Sequence, residues 1–395
     1  MAGSIVIVAP GLRRETIRLQ PWRYVSEIAG RLAKKRTVKV ITDGSGELTE
    51  ECWPEGYTIV RTPDLSTRRQ RALCRLVNGF EPEQLWWSVT PRSVGYFGLL
   101  KAVRCEKYAF ITCPFYSYRH LLDAHRAGVP LSEYKALWLQ RVVPRTLFAA
   151  LLAGDIFRKI FVQSEANRQE LARIGVSGDK TVLLRVGIDR QEYGMQDTAA
   201  AVWSGTRRRK DDAAVMLLYF GAARKIRGFD ALIGAFTLLR RRGINTELQI
   251  LARNADEAET AALRRRLSDV GVLSSATVIG GWLNRPDVLS QIAACDIVVL
   301  PFILAQSDVP IAYLEAMASG KPVVGPAIDG IPELVVGHGM IASSLDPGEL
   351  AKALTILIED RDERVRLGQS ARRFMQTYPD WQQIGDQLLR EVGLA

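Results

Sequence analysis

Between residues 307 and 325 the chain reads SDVPIAYLEAMASGKPVVG, and one carboxylate, Glu315, stands among Leu314, Ala316, Met317 and Ala318. A carboxylate in apolar company is costly to bury alone. It needs a polar partner that its neighbours in sequence do not supply, and a bound ligand is one candidate. A second stretch, YFGAARKIRGFD at 219–230, places Arg224, Lys225 and Arg227 in the loop between Gly221 and Phe229. Cations between a strand and a helix are well placed for a diphosphate, because the free N–H groups and the dipole of a helix N-terminus favour anions. A solvated basic loop accounts for the same residues equally well.

Other candidates for chemistry are few. Of the three histidines, His120 and His125 are five residues apart, badly placed to share a ligand on one helix face, and for His338 too a surface or core role is the default. Asp360-Arg361-Asp362 has the form of a metal-binding Asp-x-Asp, yet it falls in a charged helical stretch, so a solvated face is expected and no metal site. The cysteines Cys52, Cys74, Cys105, Cys113 and Cys295 are scattered, odd in number and without a Cys-x-x-Cys pair, which indicates neither a disulfide framework nor a thiolate zinc site and fits a reducing cytoplasm.

These residues need a frame to position them. In the first half, short apolar runs (SIVIVA, VKVIT, YTIV, YAFIT, KIFVQS) alternate with amphipathic stretches such as 22–36. The second half repeats the rhythm with VMLLYFG, a helix over 229–242, TELQILA, a helix through Leu267, ATVIGG and DIVVLPF. Strands joined by crossover helices give parallel sheets covered on both faces, so two α/β sheets are predicted. In the segment at the start, Pro310 opens a helix, Gly320 closes it and Val323-Val324 begins the next strand. The stretch 194–212 lacks apolar periodicity and carries the basic run 207–210, which marks a linker, and 379–395 reads as a terminal helix.

With 395 residues, 47% hydrophobic and 24% charged, the chain has room for two cores and is neither disordered nor fibrous. No apolar run approaches the roughly 18 to 20 residues of a membrane span, and MAGSIVIVAPG reads as a first strand, not a signal peptide. A net charge of +10 suits an anionic partner. No nucleic-acid reading motif accompanies it.

The series LYFG…RG, TVIGGW, CDIVVLPF, PIAYLEAMASGKPVV and DGIPELV resembles the nucleotide-binding domain of glycosyltransferase family 4. KIFVQSEANRQEL and GVSGDKTVLLRVGIDRQEY resemble the end of that family's N-terminal domain, so the resemblance covers most of 155–380 and only weakly the first 150 residues. It implies the GT-B fold, two Rossmann-like domains facing a cleft: an acceptor-binding domain over 1–193, a linker over 194–212, a donor-binding domain over 213–377 and a closing helix over 378–395 suited to pack back on the first domain. Glu315 matches the second glutamate of the family's Glu-x7-Glu motif, which accepts hydrogen bonds from the donor's ribose; pairing with a neighbouring basic residue is the bland reading. Arg227 aligns with the lysine that neutralises donor phosphates, a task a guanidinium performs bidentately. Gly221 precedes the loop as in the family, but Ala222 stands where an arginine is usual, and Arg224 or Lys225 would have to replace that charge. Gly280-Gly281-Trp282-Leu283 matches the base-recognition turn, with a core or lid role for Trp282 equally open. Ser307 stands where the first glutamate of the motif belongs, and Asp308 beside it, with Val309 and Pro310 following, either takes over the sugar contact or joins Ser307 in capping the helix. His120 is the nearest substitute for the histidine that often ends a central N-domain strand, here YAFITCPFYSYRH.

The resemblance therefore implies a retaining, metal-independent glycosyltransferase without a cofactor. It would move a sugar from a nucleotide-diphosphate donor to a hydroxyl of a glycan or lipid-linked acceptor. A donor-binding scaffold subunit, an epimerase or a phosphorylase of the same architecture are the alternatives. Trp86-Trp87, Tyr96-Phe97, Trp138 and Leu147-Phe148, set among Lys and Arg, suit contact with an anionic membrane from the cytoplasmic side, and equally a core with a solvated basic face.

Overall fold

Short runs rich in β-branched and aromatic residues, buried on both faces in the central strands, build the sheets of the computed structural model, which describes residues 3–17, 20–115, 118–194 and 214–395. All of the expected linker but Gly194, with its basic run 207–210, lies outside the described residues.

The first sheet comprises β1 (Ser4–Val8), β2 (Thr37–Asp43), β3 (Thr49–Cys52), β4 (Thr58–Thr62), β5 (Pro82–Ser88), β6 (Glu106–Ile111), β7 (Lys159–Val162) and β8 (Thr181–Leu183), in the order β3-β4-β2-β1-β5-β6-β7-β8. All pairs are parallel except β3 with β4. The second sheet comprises β9 (Val215–Gly221), β10 (Thr246–Arg253), β11 (Ala276–Gly281), β12 (Ile297–Val299), β13 (Val323–Pro326) and β14 (Met340–Ala342), in the order β11-β10-β9-β12-β13-β14 and wholly parallel. Two α/β sheets were expected from the alternation of apolar runs, and two are present. Helices such as Trp22–Ala33, Phe229–Arg241 and Glu257–Asp269 make the crossovers that parallel pairing requires.

Strands β3, β5, β8 and β14 were not anticipated. PEQLWWS of β5 opens on Pro and Glu, which masks its apolar half, and its tryptophans settle a question left open above. Trp86 is fully buried and stacks on Tyr108 and Phe161 at 4.8 and 5.2 Å, while Trp87 is buried with its indole N–H on Ser93 Oγ at 3.2 Å. Phe148 is also core. These three are therefore packing residues, not membrane anchors.

The chain crosses back at its end. The helix Trp381–Glu391 opens with a capping box between Asp380 and Gln383 and lies on Trp22–Ala33, where Arg31 Nη2 donates to Gln382 O at 2.9 Å. Gln387 reaches the Leu183 carbonyl of β8 at 3.0 Å, so this helix packs on the first sheet's side of the molecule.

Candidate functional site

In parallel sheets, ligands lodge beyond the carboxyl ends of the strands, where loops and helix N-termini converge. At those ends of β9, β10 and β12 lies a cavity of about 230 Å³, closed on the first sheet's side by Gln20 and Trp22. Its wall at β9 is Gly221 and Ala222, followed by the turn Lys225–Arg227. Gly221 has φ +132°, and a Cβ there would run into the Arg227 guanidinium, so the glycine is what lets Arg227 fold back over the strand end. That guanidinium lies 4.8 Å from the centre of the Phe302 ring, which holds it on the cavity wall. Gly228, at φ +70°, is required because any side chain would meet the Pro301 carbonyl.

Pro310, Ile311 and Ala312 line the cavity at the start of the helix Ile311–Ala318. Pro310 is its N-cap and no side chain caps it, so the free N–H groups of the first turn remain for an anion. The expected capping by Ser307 or Asp308 is not formed. Ser307 lines the cavity but is 3.4 Å from the Val309 carbonyl through its Oγ. Asp308 is turned away from the cavity and fully buried: its N–H donates to Thr112 O at 3.0 Å and its Oδ1 accepts from Ser164 Oγ at 2.8 Å. It is therefore placed neither to cap the helix nor to take over a sugar contact. Val309 is core.

Asp308 belongs to a polar seam between the sheets. Glu333 accepts from the N–H groups of Glu165 and Ala166 at 3.0 and 2.7 Å, capping a helix of the first half from the second, and Arg185 stands 3.5 Å away. Burial pushes the Asp308 carboxyl up to about 8; the Ser164 hydrogen bond opposes this, while the charges of Asp329 and Glu333 add to it. Asp329, in left-handed backbone at φ +49°, is pushed up to about 7 by burial.

Glu315 faces the cavity from the second turn of its helix and is only 4% exposed. The partner missing from its neighbourhood in sequence is Arg285, whose Nη1 is 2.6 Å from Glu315 Oε1. Arg285 also donates to the Tyr193 hydroxyl at 2.7 Å and pairs with Glu192. Burial works against its charge, but Glu315 and Tyr193 outweigh this and raise its pKa above the ordinary value. Through Arg285, Glu315 is tied to Glu192 and Tyr193 of the first half.

Several expected residues lie elsewhere. Arg224 and Lys225 are exposed and do not line the cavity, and Lys225 pairs with Asp230 at 3.3 Å, so neither supplies the charge absent at Ala222. Arg253, at the end of β10, does line it. This arginine was not among the expected site residues, although its position directly after TELQILA, at a strand's carboxyl end, was a usable signal. Trp282 is 77% exposed, which excludes a core role, and Leu283 packs on the core; neither lines the cavity. His120, on the helix Tyr118–Arg126, is half-buried and lies outside the cavity; burial lowers its pKa, against the nearby Asp123. His125 contacts the Tyr134 hydroxyl at 3.4 Å, and His338 bonds Ser370 and stacks on Phe374, which makes both structural. Asp360 caps the helix Arg361–Thr377 through Glu363 N at 2.8 Å, and no cluster of three metal-ligating side chains occurs among the described residues.

With this geometry in view, the chain can be set beside known proteins. Residues 214–360 match the family described as Glycosyl transferases group 1. A GDP-mannose-dependent monoacylated alpha-(1-6)-phosphatidylinositol monomannoside mannosyltransferase of Corynebacterium glutamicum is 29% identical over 168 residues, 41% of this chain and 42% of that protein. A GDP-mannose-dependent alpha-(1-6)-phosphatidylinositol monomannoside mannosyltransferase of Mycobacterium tuberculosis is 27% identical over 381 residues, 92% of each chain. The structure of Anabaena Alr3699/HepE in complex with UDP-glucose superposes with a TM-score of 0.69 over the full length of both chains at 14% identity. The chain thus has the GT-B fold, and residues 214–360 carry the sequence of the group 1 glycosyl transferases.

Proposed function

We propose that the chain is a retaining glycosyltransferase that takes a sugar from a nucleoside-diphosphate donor held in the 230 Å³ cavity and passes it to a hydroxyl acceptor presented by the first sheet. The observation that carries this reading is the meeting, in one cavity, of Arg227, an uncapped helix N-terminus and Glu315. Arg227 and the helix N–H groups take the diphosphate, whose growing negative charge they stabilise as it leaves, a task that otherwise falls to a metal ion. Glu315 gives Oε1 to Arg285 and receives the ribose hydroxyls on its remaining acceptor sites. The acceptor oxygen bonds to the anomeric carbon on the face from which the diphosphate departs, and its proton leaves with the departing phosphate. No cofactor takes part.

The two mannosyltransferase relatives name GDP-mannose as donor and a phosphatidylinositol mannoside as acceptor, and the superposed structure holds UDP-glucose. We carry from them a nucleotide-sugar donor and a lipid-linked or glycan acceptor. Exposed Tyr118, Leu122, Leu131, Val142 and Leu147 lie along the same stretch as exposed Arg119, Arg126 and Arg145, a mixture that supports peripheral contact with anionic lipid at the cytoplasmic face. No helix among the described residues is long and apolar enough to cross a membrane.

The test incubates the full chain with GDP-mannose or UDP-glucose and a lipid extract, and follows both the released nucleotide and the acceptor's mass. Free nucleoside diphosphate together with an acceptor heavier by one sugar is the expected result. Binding without turnover on any acceptor would instead mark a donor-binding subunit, the reading that Ser307 in place of a glutamate keeps open. Donor consumption without a heavier acceptor would mark an epimerase or a hydrolase.

A further inference from the structure

Strand β10 runs one residue past β9 in register: Ala252 pairs with Gly221, so Arg253 stands beside Ala222. On its other side Arg253 pairs with Gly281 of β11. Its flanks at the strand edge are thus an alanine and a glycine, and Arg253 lines the cavity. Arg253 is half-buried, and among the described residues its side chain has no hydrogen-bond or ion-pair partner. Other cations of this half are engaged or turned outward: Lys225 and Arg266 pair with Asp230, Arg264 with the Val278 carbonyl and Arg285 with Glu315, while Arg224 is exposed and does not line the cavity. Glu315 is the one carboxylate among the described residues lining the cavity, and Arg285 already neutralises it. Two guanidinium groups, Arg227 and Arg253, therefore enter one confined space without a counter-charge. Half-buried charges in that state are relieved by an anion with two centres, and planar guanidinium forks match phosphoryl oxygens bidentately.

We propose that Arg253 is the second diphosphate-binding cation of this site, supplying from β10 the charge that Ala222 does not supply from β9. The inference rests on the donor-site reading and deepens it. Arg227, backed by Phe302 and folded over Gly221, is fixed before the ligand arrives. Arg253, whose side chain makes no hydrogen bond or ion pair among the described residues, orders on the outer phosphate.

Calorimetric titration of the full chain with GDP, UDP, GMP and UMP tests this, comparing wild type, Arg253→Gln and Arg227→Gln, with thermal melting of each variant. The expected result is a roughly tenfold to hundredfold loss of diphosphate affinity in Arg253→Gln, the size of one charge-assisted hydrogen bond, with monophosphate affinity and melting temperature nearly unchanged. Equal losses for monophosphate and diphosphate, or no loss for either, would overturn the assignment of Arg253. If Arg227→Gln alone weakens the diphosphate, the donor site stands and the Arg253 assignment falls. If neither variant weakens it, or wild type binds neither diphosphate, the donor-site reading itself fails.

Discussion

Replacing Asp308 by Asn should stabilise the protein at neutral and alkaline pH. Asp308 is fully buried in the seam between the sheets, with Oδ1 on Ser164 Oγ at 2.8 Å and no hydrogen-bond partner for Oδ2 among the described residues. The charged or titratable groups that bear on it are Asp329 and Glu333 on its own half, and Cys113, Tyr24 and Tyr378, which feel its charge in turn. Arg185 is engaged by Glu333. Burial raises the carboxyl to about 8 in the folded state, against about 3.9 in an unfolded chain. The folded state holds the proton more tightly, so the contribution is fully present below about pH 4 and is lost as pH rises through the folded value near 8. At pH 7 the loss spans about three pH units, an upper figure of roughly 4 kcal/mol at about 1.4 kcal/mol per unit. Asn keeps the acceptor for Ser164 and cannot ionise, so the variant escapes this loss. Urea unfolding at pH 5, 6, 7 and 8, followed by circular dichroism, reads the effect as a shift in midpoint at constant slope. Wild type should weaken steadily over this range, and Asp308→Asn should keep only the shallower dependence contributed by Asp329, which burial raises to about 7. An Asn variant with the wild-type pH dependence, or one less stable than wild type at pH 8, would mean that Asp308 does not hold its proton in the folded protein.

Three further outcomes are expected. Glu315→Gln keeps an acceptor for Arg285 but loses charge assistance toward a ligand, so donor affinity should fall about ten- to a hundredfold, roughly 1.5 to 3 kcal/mol, with melting little changed; calorimetry and a thermal scan read both. Arg285→Ala should instead cost stability, about 3 kcal/mol, because Glu315 is left buried without its counter-charge, and the loss appears in the urea midpoint. Sedimentation with vesicles should show binding to anionic lipid at low salt that weakens when Leu131, Val142 and Leu147 become serine, whereas equal sedimentation of the two proteins would remove the apolar patch from the account.

The sheets could be read from the sequence because their strands are apolar on both faces and differ sharply from the amphipathic helices between them; VMLLYFG and TELQILA coincide with β9 and nearly all of β10. Where a strand carries charge at one end, as in β5, or is only three residues long, as in β8 and β14, that contrast fades and the strand was missed. Glycines were informative for a physical reason: Gly221 and Gly228 hold positive φ where a side chain would collide with Arg227 or Pro301. Partners distant in sequence were not legible. Arg285 meets Glu315 only because the turn after β11 carries it toward the second turn of another helix, and Arg253 reaches the cavity through the register of β10 against β9. The direction of a single side chain was equally hidden. Ser307 and Asp308 are neighbours, yet one lines the cavity and the other turns into the seam, and only the packing of the first sheet against the second decides which.

A nucleoside diphosphate should occupy the cavity at the ends of β9, β10 and β12, and a crystal structure of the chain with bound GDP or UDP reads this out. The diphosphate should lie within hydrogen-bond distance of Arg227 and of the first N–H groups of the helix Ile311–Ala318, with the ribose hydroxyls on the carboxylate of Glu315. A nucleotide found outside this cavity, or one bound there with Glu315 still engaged by Arg285 alone, would contradict it.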